Sequence, residues 1–140
     1  MQRRLQKEMP ELELFCACGS REFYENCCKA YHKGVKMAPT ALVLMRSRYS
    51  AFVYGEIDYL VETTFPTRRT DDLKDDFHLA YGSVRWIGLE IMSTSQGKSS
   101  DKVGKVEFKA SYFEDGHIKI HYEHSRFRQK KGKWYYVDGV

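Results

Sequence analysis

Hydrophobic positions repeat at spacings of three and four over residues 41–80 and at a spacing near two from residue 84 onward. In the first stretch Leu42, Met45, Tyr49, Phe52 and Val53 fall on one helical face. Pro39 sits where the first turn of a helix tolerates a missing N–H, and Gly55 is placed as a stop. Ile57, Leu60 and Val61 repeat the pattern in a shorter second helix that ends before Phe65-Pro66. Thr70 is the expected cap of a third helix, with Asp71 and Asp72 in its first turn, Leu73, Phe77 and Ala80 as its apolar stripe and Gly82 at its close.

Strand formers dominate the remainder. Residues 84–94 carry Trp86, Ile87, Leu89 and Ile91 and predict a strand covered on both faces, whereas Val106, Phe108, Ala110 and Tyr112 alternate with polar residues and predict one wet face. Ser93 to Gly104 reads as a Ser/Gly/Lys-rich loop. Glu114-Asp115-Gly116 and Lys131-Gly132 mark two further turns, which makes four antiparallel strands. Helices followed by such a meander predict an α+β domain in which a curved sheet wraps the helices as a cone and encloses a pocket.

All four cysteines lie within thirteen residues, as Cys16, Cys18, Cys27 and Cys28. Four thiolates complete the tetrahedral set of a structural Zn2+ and leave no open position for a reacting water. Ser20 is the expected N-cap of a helical turn over residues 20–28 that returns the second pair of cysteines over the first. His32, four residues after Cys28, is an alternative ligand or a neighbour of the site. Disulfides would need an oxidising compartment.

The longest clean apolar run is about five residues, Ala41–Met45, against the ~20 a bilayer span needs. The start, MQRRLQKEMPELEL, has no apolar signal core, so a soluble, cytoplasmic protein without a membrane role is expected. Charge excludes little: 23 Lys and Arg stand against 19 Asp and Glu, net +4. The one basic concentration, Arg126, Arg128, Lys130, Lys131 and Lys133, reads as a charged hairpin end, and a nucleic-acid role ranks third among the functions weighed.

The run Cys16-Ala-Cys18-Gly19-Ser20, Tyr24, Cys27-Cys28 and Tyr31-His32 resembles the SEC-C motif, a small zinc-binding module named from the C-terminus of the preprotein translocase ATPase SecA. That resemblance implies Cys28 as the last ligand, in preference to His32. Further on, PTALVLMRSRYSAFVYGEIDYLVETTFP, Arg85-Trp86-Ile87-Gly88-Leu89, Ser125-Arg126-Phe127 and Trp134-Tyr135-Tyr136-Val137-Asp138-Gly139 resemble the YchJ family of bacterial proteins. This implies a SEC-C module at residues 12–34 and a nuclear transport factor 2-like (cystatin-like) domain at residues 38–140. Family members commonly have Trp-His-Pro where Thr64-Phe65-Pro66 stands here, so no role for that histidine transfers. The family brings no established activity.

Candidate pocket residues are Asp58, Tyr59, His78, Trp86 and Arg126, since Asp, His and Tyr serve as acid–base groups in domains of this type. By period two His117, His121 and Glu123 share one strand face and read as solvent-exposed. Arg46 and Arg48 read as clamps to Asp58 or Asp138, and Trp134, Tyr135 and Tyr136 as core. Two functions are therefore expected in order. The first is a protein- or ribosome-interaction adaptor that presents Arg21, Phe23, Tyr24, Lys29, Tyr31 and Lys33. The second is a small-molecule binder or enzyme, of isomerase or dehydratase type, using the cone pocket, and the residues do not decide whether it is catalytic. A homodimer through the open sheet face is a further expectation.

Overall fold

The computed structural model describes residues 15–140, so residues 12–14 of the expected zinc module and the polar start of the chain lie outside it. In chain order come a 3-10 turn at Tyr24–Asn26, α1 (Cys28–His32), α2 (Ala41–Tyr54), α3 (Ile57–Glu62), a second 3-10 turn at Pro66–Arg68 and α4 (Leu73–Ser83). The strands β1 (Arg85–Gln96), β2 (Val103–Glu114), β3 (His117–Lys130) and β4 (Lys133–Gly139) follow and pair antiparallel in that order.

Helix ends follow local chemistry, with some shifts from expectation. Thr40 caps α2, its Oγ1 accepting the Val43 N–H at 3.1 Å, so Pro39 stands just outside the helix and its carbonyl accepts the Trp134 indole N–H at 3.2 Å. Gly55 ends α2 at φ 76, where an added Cβ would lie 2.8 Å from the Tyr81 ring. Thr70 is not a side-chain cap: its carbonyl takes the Leu73 N–H, Asp72 stands at the N-cap, and Asp75 and Asp76 occupy the first turn. Ser20 likewise caps no helix. Its hydroxyl accepts the Glu22 N–H at 3.2 Å in a turn where Arg21 has φ 66, and regular helix begins only at Cys28.

The sheet is longer than the pattern suggested. Strands run to Gln96 and resume at Val103, because Gln96 pairs with Gly104 and the Gly97 carbonyl accepts the Ala41 N–H at 2.9 Å. Backbone and helix start crowd there: a Cβ on Gly104 would lie 2.9 Å from the Ala41 methyl. β1 is covered on one face only. Ile87 is 49% exposed, while Trp86, Leu89 and Ile91 pack against the core. That core is built from Leu44, Met45, Tyr49, Leu60, Val106, Phe108, Phe127 and Trp134, contributed by α2, α3 and the inner sheet face. Cys16, Cys18 and Cys28 form a separate buried cluster.

Candidate functional site

Two places gather chemistry. In the first, the ligand atoms of Cys16, Cys18, Cys27 and Cys28 all lie within 4.8 Å of one another. The Cys18 and Cys27 sulfurs are 3.6 Å apart and those of Cys27 and Cys28 3.9 Å, close to the about 3.8 Å that a tetrahedron with ~2.3 Å metal–sulfur bonds imposes. Sequence supplies the geometry: Gly19 at φ 84 folds the chain after Cys18, and Cys27 leaves regular backbone before α1 starts. Electrostatics do the rest. Hydrogen bonds from the Cys16 and Cys28 thiols pull the Cys18 thiol down, while the same partnership with Cys18 pushes Cys16 up to about 11. Cys28 is pushed up by its bonds to Cys16 and Cys18 and by burial. Such a cluster gives up one proton readily and resists losing the others unless a cation compensates the charge, which is the behaviour of a metal-binding donor set.

The cluster is fastened to α2. Arg46 Nη1 donates to the Cys18 carbonyl at 2.6 Å, and the Tyr54 hydroxyl accepts the Ala17 N–H at 3.1 Å. His32 is no ligand of the four-sulfur group. Its Nε2 lies 2.8 Å from the Ser47 carbonyl, which can only accept, so Nε2 carries the proton and Nδ1 accepts from the Tyr24 hydroxyl at 2.8 Å. Burial pushes its pKa below the ordinary imidazole value.

The second place is a cavity of about 430 Å3 between α2, α4 and the inner sheet face. Its wall is aromatic, made by Phe52, Phe77, Trp86 and Phe108, with Phe52 and Phe77 edge to face at 5.6 Å. Its polar end centres on Glu123. Ser125 Oγ and the Tyr136 hydroxyl donate to Glu123 Oε2 at 2.5 and 3.0 Å, and His121 Nε2 stands 3.0 Å from Oε1. Burial and the neighbouring carboxylate push the Tyr136 hydroxyl up, which keeps it a donor. Gly139 lets this happen, since any Cβ there would overlap the Glu123 carboxyl group.

Arg48 lies beside this network and is 5% exposed. Its Nη1 donates to the Leu60 carbonyl at 2.8 Å, Thr63 Oγ1 at 2.7 Å and Thr64 Oγ1 at 3.4 Å, and its guanidinium carbon lies 4.6 Å from the Tyr136 ring centre. Burial lowers its pKa to about 10, so it remains a cation at neutral pH. The expected clamp to Asp58 or Asp138 is not made. Asp138 instead pairs with Arg126 and Arg68, and Arg126 holds its carboxyl below the usual range.

Of the residues named as pocket candidates, Trp86 lines the cavity. Asp58 points to solvent, its side chain 89% exposed and paired with Lys74 at 3.0 Å, and His78 is exposed on α4. Arg126 lies outside on the sheet, bound to Asp138. Tyr59 is buried on the other side of α2, 2.7 Å from the Ser47 hydroxyl. His121 is exposed, as the strand pattern predicts, but Glu123 is half-buried, and the two form the polar end. Register carried the signal: they face Ala110 and Phe108 of the buried β2 face. The basic hairpin spreads over two rings, Arg128 and Lys130 against Phe65 and Lys133 against Tyr135.

A helix-on-sheet cone with an aromatic cavity defines a nuclear transport factor 2-like domain, and the four-cysteine cluster before it, which could hold a metal ion, is the SEC-C type module. Residues 40–139 match the family described as "YchJ, middle NTF2-like domain". The chain is 44% identical over 124 residues to a UPF0225 protein of Streptomyces coelicolor, covering 89% of this chain and 93% of that one. It is 41% identical over 125 residues to a UPF0225 protein of Geobacter sulfurreducens, covering 89% and 77%. The solution structure of a SEC-C motif containing protein from Rhodopseudomonas palustris superposes with a TM-score of 0.80 at 34% identity, over 89% of this chain and 96% of that one. A crystal structure of a SEC-C motif containing protein from Psychrobacter arcticus gives 0.74 at 30% identity, over 88% and 80%. The chain belongs to the YchJ (UPF0225) family.

Proposed function

We propose that this chain is a small-molecule-binding protein whose cone cavity takes the ligand and whose N-terminal module is held by one structural Zn2+. The observation that carries the reading is the Glu123 carboxylate, ordered by His121, Ser125 and Tyr136 at one end of an aromatic cavity of about 430 Å3. Volume and lining suit a ligand site, where apolar walls supply burial and a few convergent polar groups fix orientation. Zinc fits the four sulfurs by donor type, count and spacing. A titration of the zinc-loaded chain with neutral, cationic and anionic aromatic fragments, followed by NMR, tests the cavity. Cross-peaks of the Trp86 indole and Ala110 methyl are expected to shift, and Ala110→Phe, which fills the space, to abolish the shifts. A set in which nothing moves them overturns the reading.

A second reading, an adaptor for a protein or the ribosome, is favoured by the zinc module's outer side. Phe23 is 51% exposed and stacks on Phe15 at 5.6 Å, with Arg21 over the Phe15 ring. Co-sedimentation with ribosomes that is lost in an Arg21→Glu, Phe23→Ala double variant supports it; no co-sedimentation of the parent chain removes the ribosome as the partner.

A further inference from the structure

The polar end of the cavity also says what a ligand must carry, an inference that rests on the cavity reading above. All three hydrogen bonds of Arg48 leave from Nη1. Its Nε and Nη2 have no hydrogen-bond partner among the described residues. Yet among these residues no side-chain nitrogen or oxygen is both sealed from solvent and unpartnered. The free N–H groups of this nearly buried arginine therefore open onto the cavity it lines. Arg48 makes no ion pair among the described residues, although a guanidinium taken out of water ordinarily faces a carboxylate that offsets its desolvation. Neutral threonines and a carbonyl hold one side of it, two aromatic rings flank it, and its remaining edge is a ready fork for an anion.

Glu123 supplies the complement. A carboxylate has about four acceptor positions, and three are filled by His121, Ser125 and Tyr136. Tyr136 bridges the two charges, its ring against Arg48 and its hydroxyl on Glu123. An anion bound at Arg48 meets the Glu123 charge nearby, and a donor on the ligand relieves that repulsion by filling the fourth position. The apolar remainder of the ligand then lies on Phe52, Phe77 and Trp86.

We propose that the cavity recognises a small aromatic acid that bears a hydroxyl or amino group next to its carboxylate, with Arg48 binding the carboxylate and Glu123 the donor. Three matched probes test this on the zinc-loaded full chain by calorimetry and the Trp86 indole cross-peak: 3-phenyllactate, 3-phenylpropionate without the hydroxyl, and neutral 3-phenyllactamide. Expected is binding of 3-phenyllactate, loss of about tenfold or more in the amide and of about fivefold in 3-phenylpropionate. Glu123→Gln should narrow the difference between the two acids, and Arg48→Gln should remove the preference for acid over amide. Because Arg48 also ties α3 to α2, the acid-to-amide comparison in the parent chain decides the matter if that variant fails to fold. Amide binding as tight as acid binding overturns this proposal and leaves the cavity reading intact. No shift with any of the three probes, while other fragments do bind, also overturns it; no shift with any fragment overturns both.

Discussion

The four-cysteine module and the cone are built by different means. In the cone, Leu44, Leu60, Val106, Phe127 and Trp134 are each at most 2% exposed, and burial of such side chains stabilises by about 1.5–3 kcal/mol apiece. The buried cluster of the module consists of Cys16, Cys18 and Cys28, with Tyr24 and Cys27 packed beside it. A unit of this size cannot exclude enough apolar surface from water to offset the entropy of ordering its chain. In the proposed zinc-bound form metal–sulfur bonds would substitute for a core, which accounts for the irregular backbone at Arg21 and Cys27, where packing alone would not select it.

Removing the metal is the strongest way to separate the two regions. A chelator, or Cys28→Ser, is expected to collapse the amide dispersion of residues 16–36 while the β1–β4 cross-peaks stay in place; zinc in comparable units supplies on the order of 10–16 kcal/mol of apparent binding energy. Elemental mass spectrometry should find one zinc per chain beforehand. Loss of the sheet signals together with the module would show that the cone depends on the metal too, and the contrast would fail. Trp134→Ala tests the opposite side. It opens a void under the Pro39 carbonyl and should cost about 3–5 kcal/mol in urea unfolding, with zinc content unchanged.

The same division governs what could be read from the sequence. Four cysteines at metal spacing are local, so the cluster was legible at once, down to its residues. The helices and strands were legible as elements because apolar period marks them. Their ends shifted where backbone groups did the capping, as at Thr70, or where pairing continued through polar residues, as at Gln96 and Gly104. The cavity was only half legible. The helical spacing of Leu42, Met45, Tyr49, Phe52 and Val53 assigns Arg48 to another face, yet it is buried, because α3 and the turn after it cover that side of α2 and supply the acceptors Arg48 meets. Asp58 and His78 suit a pocket by chemical type alone, and no pattern in one strand or helix reveals which polar residue its partner element will cover.

Attachment of module to cone is the weaker link, and Tyr54→Phe measures it. The change removes the acceptor of the Ala17 N–H at a site open to water, so about 0.5–1 kcal/mol is expected. Amide exchange at Ala17 should quicken while exchange in β2 stays as it was. Equal acceleration in both would mean that module and cone open as one unit.

His32 gives the smallest and most specific test, because it lies between the two regions and outside the four-sulfur cluster. Its ring spans from the Tyr24 hydroxyl of the module to the Ser47 carbonyl of α2. Burial depresses its pKa, so in the folded protein it holds its proton less tightly than the ordinary imidazole of the unfolded chain, at about 6.5. Below that value the unfolded chain binds a proton that the folded one refuses. The contribution of His32 is therefore complete above about pH 6.5 and is lost as pH falls towards its folded value. Unfolding of the parent and of His32→Gln compared at pH 7.5 and 5.5 should show an extra loss at pH 5.5 in the parent alone, since protonation of the four thiolates is common to both. An NMR titration placing His32 above 6.5 would reverse that sign and make the ring a charged partner of the module instead of a neutral hinge between hydroxyl and carbonyl.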